Sequence, residues 1–145
     1  MKKGFSLIEL LIVIAIMGIL AAMGTALQQR AVQRARIQSA TAQLAADLER
    51  ARSSAQKSNT SASLSVASTT AHSYSLTLNG QATTIDLPSQ TQVQVAAPLS
   101  ITYTAPFGEV ATTAMFTVRA VGSSLPPLYV KVIGVTGKVV QSANP

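Results

Sequence analysis

The sequence predicts an α+β protein. One long N-terminal α-helix, its first half transmembrane, packs on a C-terminal antiparallel β-sheet or small β-sandwich. Three observations carry this. Leu10 to Leu27 is an apolar run with Thr25 as its one polar member. A polar continuation, rich in helix formers, keeps one narrow apolar stripe. From residue 58 onward the pattern changes to short alternating runs separated by turn residues.

The apolar run would span about 27 Å as a helix, close to the thickness of a bilayer's hydrocarbon core. No proline occurs between residues 5 and 87, so the helix is expected to continue from Phe5 to about Lys57. Gly18 and Gly24 either permit close helix contact or mark a local weakness. Beyond Gln28, the residues Ile37, Thr41, Leu44, Leu48, Ala51 and Ala55 recur at spacings of three and four. The chain has no second heptad segment, so this stripe is expected to pack on a sheet. Arg30, Arg34 and Arg36 lie just past the apolar run, as a solvated face or as contacts to lipid headgroups or a neighbour's acidic residue. Arg50 and Arg52 alternate with Asp47 and Glu49, which suits local pairing.

The head begins with the loop-like "SNTSAS", in which Asn59-Thr60-Ser61 formally fits a glycosylation sequon. "SLSVAS" alternates. "HSYSLTLNGQATTIDL" predicts a hairpin, because Asn79-Gly80 suits a tight turn with positive φ. "TQVQVAA", "LSITYTA", "AMFTVRAV", "LYVKVIG" and "KVVQS" supply further strands, the last following a turn at Thr136-Gly137.

Composition excludes several function classes. The chain has 145 residues and no cysteine, so it has no disulfide and no thiolate metal site. A single histidine, His72, argues against a polyhistidine metal site or a catalytic relay and reads as a surface or edge residue. Asp86 and Glu109 are isolated, and no Gly-rich phosphate loop occurs. The chain is therefore expected to be no enzyme, with no cofactor and no metal. Its net charge of +6 is diffuse, with no run of five like charges.

The N-terminus allows three readings. A secretory signal has a shorter apolar core than this one. A plain anchor explains the length and the lysines Lys2 and Lys3, but not Glu9, since a carboxylate in lipid costs a few kcal/mol unless it is interfacial or paired. The third reading accounts for both features. "KKGFSLIEL", with Gly4, Phe5, Ser6, Leu7, Ile8 and Glu9 in unbroken order, resembles the class III signal of type IV pilins and pseudopilins. The resemblance implies the pilin fold and a leader at residues 1–4. It also implies cleavage by prepilin peptidase between Gly4 and Phe5 and N-methylation of Phe5. Residues 5–27 would then be a transmembrane and fibre-core helix, 28–57 its amphipathic continuation, and 58–145 a β-rich head. Glu9 would pair with the new amine of a neighbouring subunit and so set assembly. Loss of Lys2 and Lys3 would take the side-chain charge from +6 to +4.

"ITYTAPFGEV … MFTVRA … LYVKVIGVTGKVVQ" is similar to the C-terminal domain of the GspH/FimT group of minor pilins and pseudopilins, through Pro106, Phe107, Gly108, Gly137 and Lys138. Many major pilins carry a proline where this chain has Ala26, which argues for a minor subunit. Some relatives in that group bind DNA through basic residues after the last glycine. Here only Lys138 follows, and Lys131 and Arg119 are the remaining candidates for a nucleic-acid contact.

The expected function is that of a minor pilin or pseudopilin of a type IV pilus, a type II secretion pseudopilus or a DNA-uptake fibre. A major pilin and a DNA-binding minor pilin for natural transformation are the alternatives, and a membrane-anchored protein unrelated to fibres is a third class. The implied partners are prepilin peptidase, other pilins or pseudopilins in a helical fibre, the bacterial inner membrane and its assembly platform, and more weakly DNA. The implied location is a single pass in that membrane with the head outside the cytoplasm, then a surface pilus or periplasmic pseudopilus.

Overall fold

The computed structural model describes residues 6–145, and the side chains of all of these except 22–27. The chain is α+β: a long helix followed by two antiparallel sheets, as the alternating runs predict. It divides into two compact units, 1–33 and 34–145.

Helix α1 (Leu7–Ser58) is unbroken, as expected where no proline interrupts. It ends where Asn59 turns into the left-handed region at φ 52°, the usual way a helix stops at a residue that tolerates this conformation. In the first unit its described apolar side chains are exposed on every side, the large ones from Leu7 at 82% to Val32 at 43%. The transmembrane first half expected over 5–27 is not shown by this helix. Among the described residues no helix is long and apolar enough to cross a membrane. The leader boundary at Gly4 and Phe5 lies outside the described residues.

In the second unit, α1 contributes the stripe Ile37, Ala40, Thr41, Leu44, Ala45, Leu48, Ala51 and Ala55, each buried. Every position of the predicted stripe is among them. Thr41 satisfies its buried hydroxyl by donating to the Ile37 carbonyl at 2.7 Å.

Nine strands follow: β1 (Ala62–Val66), β2 (Thr70–Ala71), β3 (Ser73–Leu78), β4 (Gln81–Asp86), β5 (Thr91–Gln94), β6 (Leu99–Tyr103), β7 (Ala114–Ala120), β8 (Leu128–Ile133) and β9 (Lys138–Ser142). They form a four-stranded sheet, β4-β3-β1-β6, and a five-stranded sheet, β2-β5-β7-β8-β9. The β3–β4 hairpin closes through Asn79 and Gly80, at φ 51° and 78°, the two successive positive values its sequence calls for. The two-residue β2 carries no readable alternation. It exists because β5 offers it an edge, Ala71 pairing with Val93.

Both sheets alternate buried and outward residues and share one core with the helix. Leu64, Leu76, Ile101 and Tyr103 enter it from the first sheet, and Val93, Phe116, Val118, Val130 and Val132 from the second. Each buried Leu, Val or Phe of this kind stabilises by roughly 1.5–3 kcal/mol.

Two buried tyrosines differ in how their hydroxyls are met. Tyr74 donates to the Asp47 carboxylate at 2.6 Å, tying β3 to the helix. Burial, followed by that carboxylate, drives its acidity well below that of an ordinary phenol. Tyr103 is fully buried, and its hydroxyl, like Nε of Arg52, has no hydrogen-bond partner. Burial, with Glu49 adding to it and Arg52 opposing it, pushes its pKa up to about 12.

Free tyrosine ionises near pH 10. Both phenols therefore keep protons in the fold that the unfolded chain has already released. Their contribution to stability is complete below about pH 10 and falls as pH rises through and above it, for Tyr103 up to about pH 12. Urea denaturation of the full chain in detergent is expected to separate the two. Tyr74→Phe lowers stability by about 1 kcal/mol at neutral pH through loss of a hydrogen bond to a charged acceptor. Tyr103→Phe, which removes only an unpartnered hydroxyl, is neutral or stabilising. Either substitution reduces the alkaline fall.

Candidate functional site

The residues proposed for function from sequence fall in three places. Gly4 and Phe5 lie outside the described residues. Glu9 lies in the first turn of α1, exposed to solvent, with its backbone N–H donating to the Ser6 carbonyl at 3.1 Å. Ser6 is thus the residue from which the helix springs, and Ser6-x-x-Glu9 has the spacing of a capping box. A carboxylate here is favoured by the partial positive charge of the helix start. The side chains around it, from Leu7 to Leu11, are exposed and apolar. Glu9 is therefore a charge at the start of the described helix, set among exposed apolar side chains.

Arg119, Lys131 and Lys138 are far apart in sequence, yet strand register brings them to one face. Arg119 sits opposite Gln92, Lys131 opposite Met115, and Lys138 opposite Ile133. Met115 and Ile133 are 41% and 40% exposed, whereas their neighbours Phe116 and Val132 are fully buried, so this is the outward face of the five-stranded sheet. Lys138 is diagonal to Lys131, at about 7–8 Å, while Arg119 is about 13 Å further along β7 from the Lys131–Met115 pair. Tyr129 and Thr117 pair between them. No strand of this sheet contains Asp or Glu.

A third feature is built from the two turns singled out by sequence. Thr104 and Glu109 close the first turn: the Thr104 N–H donates to the Glu109 carbonyl at 2.9 Å, and the Gly108 N–H to the Thr104 carbonyl at 2.8 Å. Gln56 of the helix holds the Phe107 carbonyl at 2.9 Å. Gly108 (φ 67°) lies under Arg52 and Gln56, where a Cβ would meet their side-chain carbons at 3.0 and 3.1 Å. The second turn, 134–137, is pressed onto the first. A Cβ on Gly137 (φ 61°) would stand 2.5 Å from the Gly108 carbonyl and 3.0 Å from the Tyr103 ring. The Val135 N–H adds a hydrogen bond to the Val110 carbonyl at 2.7 Å.

Together the turns display Phe107 and Val135, at 71% and 70% the most exposed large apolar side chains of unit 34–145. Val135 adopts φ 67°, a conformation unfavourable for a β-branched residue. Sequence reading placed this turn at Thr136-Gly137 and missed Val135. Nothing local marks the valine, because its backbone is set by Val110 across the gap.

Residues 1–25 match the family model for the prokaryotic N-terminal methylation motif. With the long helix and antiparallel sheets, this match supports a type IV pilin-like protein, a subunit made as a membrane-anchored precursor and processed by prepilin peptidase. No curated protein and no solved structure matches the chain. The motif match ends at residue 25 and does not reach the segment that resembles the GspH/FimT group.

The paired turns are expected to respond oppositely to two substitutions, as read by thermal or urea unfolding. Gly137→Ala lowers stability by about 2 kcal/mol or more, because a Cβ meets a backbone oxygen at left-handed φ. Val135→Gly relieves strain and raises stability by about 1 kcal/mol.

Proposed function

We propose that this chain is a structural subunit of a type IV pilin-like fibre, of the minor pilin or pseudopilin kind, and not an enzyme. Prepilin peptidase cuts it between Gly4 and Phe5, Phe5 is N-methylated, and the helix then joins other such helices in the fibre core. The observation that carries the reading is the apolar rod of α1, exposed on all sides and interrupted by a single carboxylate at Glu9. A helix apolar all round has to be covered by lipid or by other helices. A lone acid within it is tolerated when paired, and the amine created at Phe5 of a neighbour supplies the pair. Membrane anchoring before assembly rests on the motif at residues 1–25. Ala26, where many major pilins have proline, favours a minor subunit, and the turns around Gly108 and Gly137 agree with a GspH/FimT-like head.

A second reading, a minor pilin that holds DNA, is favoured by one observation. Arg119, Lys131 and Lys138 share a sheet face that carries Tyr129 and whose strands contain no acidic residue. Cations on a sheet beside an aromatic side chain suit a single-stranded backbone with stacked bases.

Mass spectrometry of the mature chain is expected to find an N-terminus at methylated Phe5. Glu9→Val is expected to leave processing intact and to lower incorporation into purified fibres by about tenfold or more, since it strips the partner from a buried charge. An intact Met1, or normal incorporation of the variant, refutes the subunit reading. For DNA, a gel shift of the full chain in detergent with single-stranded DNA is expected to weaken with salt at a slope of about −2, as three phosphate contacts require. Replacing Arg119, Lys131 and Lys138 together by Ala abolishes it. No shift at low salt rules the second reading out.

A further inference from the structure

The five-stranded sheet has a notch. β5 pairs with β7 only as far as Gln94 opposite Thr117. Beyond it the chain still follows β2 on the other side, the Val95 N–H donating to the Thr69 carbonyl at 3.0 Å. Because β5–β7 pairing stops at Gln94, residues 114–116 of β7 are left without a strand on that side. The space is an open, mainly apolar hollow of about 520 Å³, walled by Val95, Ala97, Pro98, Leu99 and Met115. It lies beside the first residue of β6. The knob that carries Phe107 follows the last residue of the same strand. Along β6, its first and last residues stand about 13 Å apart.

Knob and hollow are complementary in three respects. Phe107 is 71% exposed on a turn held by Gln56, by the Thr104–Glu109 bonds and by Gly137, so little order has to be gained on docking. The hollow is apolar and roomy enough for a phenyl ring with the flanking Pro106. The charges also match. Glu109 stands two residues from Phe107, and Lys131 of β8 pairs with Met115, the β7 residue that lines the hollow. Neither side chain has an ion-pair partner among the described residues.

From this we infer that the heads bind one another directly, the Phe107 turn of one copy seated in the Val95–Met115 hollow of the next, with Glu109 facing Lys131. Knob and hollow are different patches of one surface. Such a contact is heterologous: it does not close into a dimer and it propagates as a helix or ring. It gives the heads their own link along a fibre, separate from the N-terminal helices. The inference deepens the fibre-subunit reading and rests on it for its setting.

The chain has no cysteine, so introduced thiols report cleanly. The full chain in detergent micelles, carrying Ala105→Cys on the knob and Ala97→Cys at the hollow, is treated with a short bis-maleimide. The expected product is a ladder of trimers and larger species. Adding Phe107→Ala reduces it at least tenfold. Lys131→Glu also reduces it, and Glu109→Lys introduced together with Lys131→Glu restores it. A double-cysteine chain that remains monomeric overturns the inference, as does Ala105→Cys alone dimerising as efficiently, which marks a symmetric contact. Electron microscopy of the same chain without cross-linker separates the two levels. Fibres without a ladder overturn the head contact and leave the subunit reading standing. A ladder without fibres does the reverse.

Discussion

The stripe of α1 from Ile37 to Ala55 is the surface on which the second unit is built. It alternates Leu44 and Leu48 with Ala40, Ala45, Ala51 and Ala55, all buried. The alanines let backbone approach the helix closely, while the leucines supply apolar area. Two sheets with few aromatics can share one core because they share this helix. Sheets whose strands run from four to seven residues, apart from the two-residue β2, bury too little by themselves. Polar groups at the same junction then orient the layers: Tyr74 reaches Asp47, Arg36 donates to Gln90 at 2.9 Å, and Gln56 holds the Phe107 turn.

That arrangement explains why the two turns at 104–109 and 134–137 behave as one object. Each is closed by backbone hydrogen bonds, and each has a glycine where a side chain would strike the other turn or the helix. Gly108 admits Arg52 and Gln56, and Gly137 admits the Gly108 carbonyl and the Tyr103 ring. The unpartnered hydroxyl of Tyr103 and Nε of Arg52 sit at this crossing, where close packing has been favoured over hydrogen bonding. A rigid base is what permits two bare apolar side chains, Phe107 and Val135, to stand in solvent in fixed positions.

The first unit has the opposite economy. Its described apolar residues are exposed, and the carboxylate of Glu9 sits at the helix start. The segment is stable as a helix by propensity and by its Ser6 start, but its surface is complete only in company.

Much of this was legible from local pattern. The helix without proline, the buried stripe, the Asn79-Gly80 hairpin and the strand at "AMFTVRAV" follow from periods of 3.6 and 2 and from turn chemistry, which depend on neighbours in sequence. The significance of "GFSLIEL" was equally local, since a peptidase reads a linear segment. Other features came only with tertiary structure. β2 exists because an edge was available, and Val135 is strained because Val110 holds it. Arg119, Lys131 and Lys138 share a face because register aligns them, and β7 is bare at 114–116 because its pairing with β5 ends at Gln94. In each case the deciding partner is distant along the chain, and pairing between distant segments leaves no periodic mark in either of them. By itself, then, the sequence determined the helix and most of the strands, and it carries the N-terminal methylation motif over residues 1–25. Tertiary contact decided which side chains remain available at the surface for another molecule.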